Sequence, residues 1–456
     1  MAHTDTKGIV VLDIGSTNTK AMLFDRDLNE LASRTIPTRR LNEPYLSEDT
    51  GPLLEFLLNA ISEFDKLLPV DTIVPCAHGS ALALLDDTNE LALPIMSYEA
   101  QPPEPVCSEY ELIAPSFDEV FAPTNPGALT LGRQLLWQET QYPEAFSKVR
   151  TILPLGQYVA FLLCGELASE VTALGAQTHL WDPVNKNYSK LAKSRGWANR
   201  FAPMRNAWDP LGQIRGVELS GQGNVLAGIH DSNANLLGYL GGGEFCLLST
   251  GTWLIAFDTA IAISRLQPEF DQVSNTNLLG EPVACCRFMA GREFEIVADG
   301  DIPDGQSIGM IAELIKTGTF ALPSFTDSGG PVPGSGGKGR IAGNLPDVPG
   351  YRASMSSLYC AQMTALALAR LGTSERIIVD GPFAANSTYL SILAGLMSSC
   401  EIVASNEPNG TSRGAAMLAL MGDSNLPAIS PSLTAVDNAQ VEGLSDYHNV
   451  WLAMVG

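Results

Sequence analysis

Basic residues are scarce in this sequence: 27 Lys and Arg stand against 50 Asp and Glu, giving a formal charge of −23 with only five His. So acidic a chain excludes a general nucleic-acid or anionic-membrane surface, either of which needs basic patches. A phosphate-bearing ligand would have to be held locally, by backbone amides, helix N-termini or metal ions. No apolar run approaches the ~20 residues of a membrane span. The opening residues MAHTDTKG lack the charged-then-apolar pattern of a secretory leader. Eight cysteines are scattered at 76, 107, 164, 246, 285, 286, 360 and 400, with no CxxC pair and no metal-ligand spacing. Most sit in apolar runs, where Cys behaves as a small buried hydrophobe. A reduced, cytoplasmic setting is the expectation. There is also no GKS/T, and no GxGxxG that follows an apolar strand and opens a helix, so neither a P-loop nor the dinucleotide fingerprint of a Rossmann dehydrogenase is present.

What the sequence has is core material and turns. With 45% hydrophobic and 17% charged residues, wholesale disorder is excluded. The 42 Gly and 29 Pro modestly exceed ordinary usage and point to many tight turns. Residues 52–68 space Leu53, Leu54, Leu57, Leu58, Ile61, Phe64 and Leu68 along one helical face. Asp71 to Cys76 read as a buried strand entering the turn Ala77-His78-Gly79-Ser80, and 356–371 as a second apolar helix before the strand Ile377-Ile378-Val379. Strand and helix signals alternate through both halves, so the class is α/β. The Gly/Pro-rich segment 323–349 reads as a long loop.

One pattern occurs twice. Gly8-IVVLDIGSTNTKAMLFD-Arg26 and, some 236 positions later, Glu244-FCLLSTGTWLIAFD-Thr259 each run apolar strand, Gly with hydroxyl neighbours, second apolar strand, Phe-Asp. Gly lets backbone approach a phosphate, and successive amides with Ser/Thr hydroxyls supply donors. A strand follows the glycine where a P-loop would have a helix, so the turn reads as a phosphate-gripping β-hairpin. A plain core hairpin is the alternative for either copy alone; the repetition and Asp13 favour the phosphate reading. The repeat also implies two related domains, 1–241 and 242–456.

These hairpins resemble those of the actin/hexokinase-like ATPase superfold, and more closely the FGGY carbohydrate kinases, over nearly the whole chain. The resemblance implies two actin-like (ribonuclease H-like) α/β domains with a cleft between them, the first binding sugar and holding the catalytic base, the second binding nucleotide. It implies that Asp13 holds Mg²⁺ through water, and that Gly15, Ser16, Thr17, Thr19 and Lys20 surround the γ-phosphate of ATP. Gly251 and Thr252 would contact the nucleotide phosphates. Gly228-Ile229-His230-Asp231 matches the family's Gly-x-x-Asp, making Asp231 the catalytic base and a second metal-side carboxylate; capping the following helix is its structural alternative. His78-Gly79 matches a substrate-contacting turn, His230 would donate to a sugar hydroxyl or serve as a buried structural His, and Tyr98 and Glu99 correspond loosely to a sugar-lining segment. Arg133 and Trp137 resemble a helix near the substrate, Trp137 reading more readily as core. On the nucleotide side, Gly381 and Asn386 fit the adenosine turn, although Pro382 and Phe383 replace its usual glycines. Gly329-Gly330 and Gly334 to Gly337 would form a loop over the phosphates, and Gly414 would allow close helix packing.

His230-Asp231-Ser232 and Thr250-Gly251-Thr252-Trp253 resemble rhamnulose and fuculose kinases most. The implied activity is ATP- and Mg²⁺-dependent transfer to a primary hydroxyl of a ketose, L-rhamnulose- or L-fuculose-like or another ketopentose or ketotetrose, in carbohydrate catabolism. The alternative is a catalytically inactive sugar sensor or regulatory protein on the same fold. The expected partner is a small sugar, with no nucleic acid and no membrane, and a homodimer is the family-level expectation for assembly.

Overall fold

A computed structural model describes residues 7–301, 305–327, 330–373, 376–421, 426–427, 431–438 and 441–456. The chain divides into two compact units. The first comprises Met1–Gly241, Ser274–Pro282 and Asn409–Ile429, the second Gly242–Val273, Val283–Pro408 and Ser430–Gly456. Two segments of the first unit therefore lie beyond residue 241 in the sequence.

In the first unit a sheet runs Pro210–Gln213, Asn224–Leu226, Val70–Ala77, Gly8–Ile14, Asn18–Phe24, Glu30–Pro37, with Ile229–His230 pairing the far end of Val70–Ala77. Strand Val70–Ala77 is parallel to Gly8–Ile14 and to Ile229–His230, while Gly8–Ile14 and Asn18–Phe24 form the antiparallel hairpin. Alternate residues of that hairpin enter opposite cores, as the period of two requires. Val10, Leu12, Ala21 and Leu23 pack with Leu57, Ile61 and Phe64 of the helix Gly51–Asp65. Ile9, Val11, Met22 and Phe24 pack with Ala234 and Leu237 of the helix Asp231–Leu237 and with Ala415 to Met417 of the helix Gly410–Met417. Both faces of the hairpin are covered, which is why residues 9–12 and 21–24 read as unbroken apolar runs.

The helix expected over 52–68 stops at Asp65. Pro69 disfavours helical geometry at Leu68, and the Asp65 carboxylate instead accepts from the Val70 and Ser220 amides at 2.7 Å each.

The second unit has a comparable sheet, in which residues 283–288, Leu254–Asp258, Cys246–Thr250, Ile377–Asp380, Ile402–Ser405 and Leu433–Ala435 lie side by side in that order. Its long helix Tyr351–Leu371 is buried along almost its whole length and packs on the helices Ala290–Ala298 and Ser387–Leu396. That helix begins a turn earlier than the apolar pattern shows, at Gly350, whose amide donates to the Asp301 carboxylate. The segment expected as one long loop contains a strand, Arg340–Ala342, paired antiparallel with Phe320–Leu322. No described helix is long and apolar enough to cross a membrane.

Candidate active site

Parallel pairing brings three stretches of sequence to one sheet end. Asp13 stands opposite Cys76, and His230 opposite Ala77, on the two sides of strand Val70–Ala77. Asp13 and His230-Asp231 thus lie at the carboxyl ends of strands two spacings apart, or ~10 Å of backbone. His78 leaves the middle strand between them, its amide donating to the Ile14 carbonyl at 3.2 Å. Gly228 permits the approach: its φ is +85°, and a Cβ there would come within 2.4 Å of the Pro75 carbonyl oxygen. Such carboxyl ends of parallel strands are where open α/β sheets bind ligands.

The hairpin turn is the most heavily tied part. The Gly15 amide donates to Asn18 O at 3.0 Å, and the Thr38 amide to Thr17 O at 2.9 Å. The Thr38 hydroxyl donates to Gly15 O and the Arg40 guanidinium to Ser16 O, each at 2.9 Å. In a trans peptide the N–H points opposite to the C=O. With the Gly15 and Ser16 carbonyls turned onto Thr38 and Arg40, the Ser16 and Thr17 amides are turned away from them. A Cβ on Gly15 would sit 2.9 Å from Asn18 O, so the turn is tight. Thr19 is buried, Thr17 is exposed, and Lys20 is paired across the hairpin with Asp13.

Asp13 is partly buried and accepts from the Ser412 hydroxyl at 3.2 Å. Burial, with the nearby Asp231 carboxylate, pushes its carboxyl up to about 6, while Lys20 and Ser412 pull the other way. Two carboxylates that repel across a shared space suit a hard divalent cation. Among the described residues no cluster of three His, Cys, Asp or Glu could hold a metal by itself. Mg²⁺ is typically held by one or two carboxylates together with substrate phosphates and water. Asp13 and Asp231 would hold it here.

Asp231 is the first residue of its helix. Its Oδ1 accepts from the Ser232 amide at 2.5 Å and the Ser232 hydroxyl at 3.1 Å, with His230 Nε2 at 3.4 Å. His230 Nδ1 lies 3.3 Å from Asn233 Nδ2, which also donates to Asn275 Oδ1 at 3.0 Å. With Nδ1 accepting, the proton sits on Nε2, facing Asp231. Burial lowers the His230 imidazole against the opposing pull of Asp231, and pushes His78 down to about 4. Gly79 is what admits the His230 ring: a Cβ there would lie 2.6 Å from Nε2. Tyr98 meets His78 edge-on at 5.6 Å between ring centroids. Glu99 is exposed and accepts from Arg40 at 2.8 Å. The structure therefore brings Asp13, the Gly15–Lys20 turn, His78, Gly79, Tyr98, Glu99, His230 and Asp231 into one region. Arg133 is engaged elsewhere, donating to the backbone carbonyls of Asn125 and Gly127, and Trp137 is core, tilted against Tyr45.

In the second unit Gly251 and Gly381 meet at Thr250. A Cβ on Gly381, whose φ is +86°, would fall 2.1 Å from Thr250 O, and one on Gly291 would fall 2.2 Å from Gly251 O. Thr252 is exposed at the tip. Asn386 caps the helix Ser387–Leu396 by accepting from the Tyr389 amide, and its Nδ2 donates to Ser357 at 2.9 Å. Its side chain is thus committed to structure. Phe383 is buried against Tyr389 and Phe294. Gly334 sits on an exposed turn with φ +69° and nothing within 4 Å of an added Cβ. Gly329 lies outside the described residues. Sequence reasoning missed the roles of Thr38, Arg40 and Gly291, none of which belongs to a recognisable local motif, and that of Ser412, which lies in the helix-start segment 409–416 that carries Gly414.

Residues 8–238 match the N-terminal domain of the FGGY family of carbohydrate kinases, and residues 242–427 match the carbohydrate kinase FGGY C-terminal domain. The chain belongs to the FGGY family of carbohydrate kinases. A carbohydrate kinase from Novosphingobium aromaticivorans is similar at 33% identity and a TM-score of 0.87, with 98% of each chain covered. Xylulose kinase from Lactobacillus acidophilus (15% identity, TM-score 0.79, covering 98% of this chain and 96% of that one) shares the fold. So does Plasmodium falciparum glycerol kinase with ADP (14% identity, TM-score 0.76, 98% of each). No curated protein matches in sequence. FGGY kinases use ATP as phosphate donor. Gly414 belongs to the first unit: a Cβ there would fall 1.8 Å from Ala234 O, so the helices Gly410–Met417 and Asp231–Leu237 touch backbone to backbone.

Proposed function

We propose that this FGGY kinase transfers the γ-phosphate of ATP to a primary hydroxyl of a ketose, with L-rhamnulose- or L-fuculose-like sugars favoured over other ketopentoses and ketotetroses. The reading is carried by the convergence of Asp13, His78 and Asp231 at the carboxyl ends of neighbouring strands. The preference among ketoses rests on His230-Asp231-Ser232 and Thr250-Gly251-Thr252-Trp253 alone.

Asp231 accepts the proton of the attacking hydroxyl. Its Oδ1 is held by Ser232 and His230, which leaves Oδ2 to face the sugar. His230, neutral and carrying its proton on Nε2, orients that carboxylate, while His78 and Tyr98 line the same end. The Ser16 and Thr17 amides and Lys20 receive charge that develops on the transferred group, as fixed donors do in phosphoryl transfer. Mg²⁺, when bound at Asp13 and Asp231, shields the phosphate charge.

A panel of ketoses and polyols assayed for ADP formation with Mg-ATP tests the substrate class. Asp231→Asn should lower kcat by about 10²- to 10⁴-fold on every accepted sugar while folding normally; near-full turnover by that variant would remove Asp231 as base. A sugar sensor is the second reading, favoured by Pro382 and Phe383 in place of the adenosine-turn glycines, with Phe383 built into the core. Sugar binding without sugar-dependent ADP formation would select it.

A further inference from the structure

We propose that Arg40 is a positioning residue that fixes the phosphate-gripping turn and links it to the sugar-lining segment. The proposal rests on the kinase reading of the Gly15–Lys20 turn, and deepens it. Arg40 opens the short strand Arg40–Leu41, which pairs with Ser47–Glu48 so that Arg40 stands opposite Glu48. Its guanidinium then reaches three ways. One terminal nitrogen donates to Ser16 O at 2.9 Å, the other to Glu99 Oε2 at 2.8 Å, and Nε lies 3.6 Å from Glu48 Oε1. Glu48 is buried, with its side chain 8% exposed, so the cation is anchored from beneath, while Glu99 is about half exposed at 47%.

The planar fork is what makes the link. A guanidinium holds its donors at fixed angles, so the position of the Glu99 carboxylate and that of the Ser16 carbonyl are set by one rigid group. Tyr98, next to Glu99, meets the His78 ring edge-on, so the segment that Arg40 holds also borders the sugar side. A sugar that engages Tyr98 or Glu99 therefore acts on the group that orients the Ser16 peptide. Since the Ser16 carbonyl and the Thr17 amide belong to one plane, moving Arg40 rotates a phosphate donor.

The test is amide hydrogen exchange over residues 14–19 of the ligand-free protein, with kcat and KM on the accepted ketose. Arg40→Ala should speed exchange there by tenfold or more. It should lower kcat by about 10- to 100-fold, the scale of a small misplacement of a reacting group, with a much smaller change in KM for the sugar. Because Arg40→Ala leaves Glu48 unpaired, Arg40→Ala/Glu48→Gln is made beside it: stability should return, and kcat and slow exchange should not. Arg40→Lys keeps the charge over Glu48 without the fork, and should behave as the double variant does. Wild-type exchange and kcat in Arg40→Lys would reduce the role of Arg40 to neutralising Glu48 and overturn the proposal. Unchanged exchange in Arg40→Ala would overturn it as well. Failure of the kinase reading is seen separately, as a wild-type protein that turns over no sugar, and the ligand-free exchange still decides whether Arg40 holds the turn.

Discussion

In the first hairpin the Gly15 amide closes on Asn18 O at 3.0 Å; in the second the Gly251 amide closes on Trp253 O at 2.8 Å. The glycines align in the sequence, yet the second turn is one residue tighter, with Thr252 alone between the closing pair where the first has Ser16 and Thr17. A one-residue change in register exchanges the faces of a strand. Asp13 is consequently matched with Lys20, whereas Ser249, at the same point in the repeat, is matched with Ile255. The acid of the second unit sits one strand over, at Asp380 beside Ser249. The first turn is held by side chains, Thr38 and Arg40, and the second by backbone pressed on backbone at Gly291 and Gly381. One frame thus serves two ends: a charged, adjustable turn in the first unit and an uncharged, rigid one in the second.

The sharpest way to break this contrast is to neutralise the charge. Asp13→Asn should lower kcat by about 10²- to 10³-fold, the scale of losing one preorganised electrostatic element, and should raise the Mg²⁺ concentration needed for half-maximal rate. Ser249→Ala, at the matching position, should cost less than about tenfold, or ~1.4 kcal/mol of barrier. Equal losses in steady-state assays would mean that the two turns share the electrostatic work.

Rigidity is tested by adding a methyl group to each turn. In Gly381→Ala a Cβ must fit at φ +86° and 2.1 Å from Thr250 O, which ought to destabilise the protein by about 3 kcal/mol or more. Gly15→Ala meets only Asn18 O at 2.9 Å, at a φ open to L residues, and should cost about 1 kcal/mol. Denaturant midpoints compare the two. A Gly381→Ala protein as stable as Gly15→Ala would show that the second turn yields as readily as the first.

The features legible in the sequence were those carried by a local pattern. Unbroken apolar runs mark the central strands of both sheets, and the Asp13, His78 and Gly228-x-x-Asp231 segments mark strand ends by their own turns. Three features were not legible. The length of the second turn depends on which residues pair across the hairpin, and GST and TGT look alike. The end of the helix at Asp65 depends on amides at Val70 and Ser220 that reach its carboxylate from later in the chain. Arg40, beside Arg39, has no role in the sequence until Ser47–Glu48 pairs with it and Glu99 arrives from a distant turn.

A third prediction concerns a buried glutamate in each unit. Glu293 has both oxygens occupied: Oε1 by the Thr326 amide and hydroxyl, Oε2 by the Phe325 amide and the Tyr359 hydroxyl. Glu170 collects the Thr172 amide, the Thr172 hydroxyl and the Ala173 amide on Oε2 alone, while Oε1 is buried without a hydrogen bond. Burial accordingly pushes the Glu170 carboxyl up to about 7, against those donors. A raised folded value means that the folded state holds the proton more tightly than the unfolded one. The stabilisation is full below the unfolded value near 4.5 and is lost as pH rises through about 7. Glu170→Gln, which cannot ionise, should flatten that decline, gaining about 2–3 kcal/mol relative to the parent between pH 5 and pH 8. The Thr172 hydroxyl also accepts from the His230 amide at 3.0 Å, so the same titration reaches the backbone that carries Asp231. Parallel pH slopes of stability for parent and variant would place the proton elsewhere and leave the two glutamates alike.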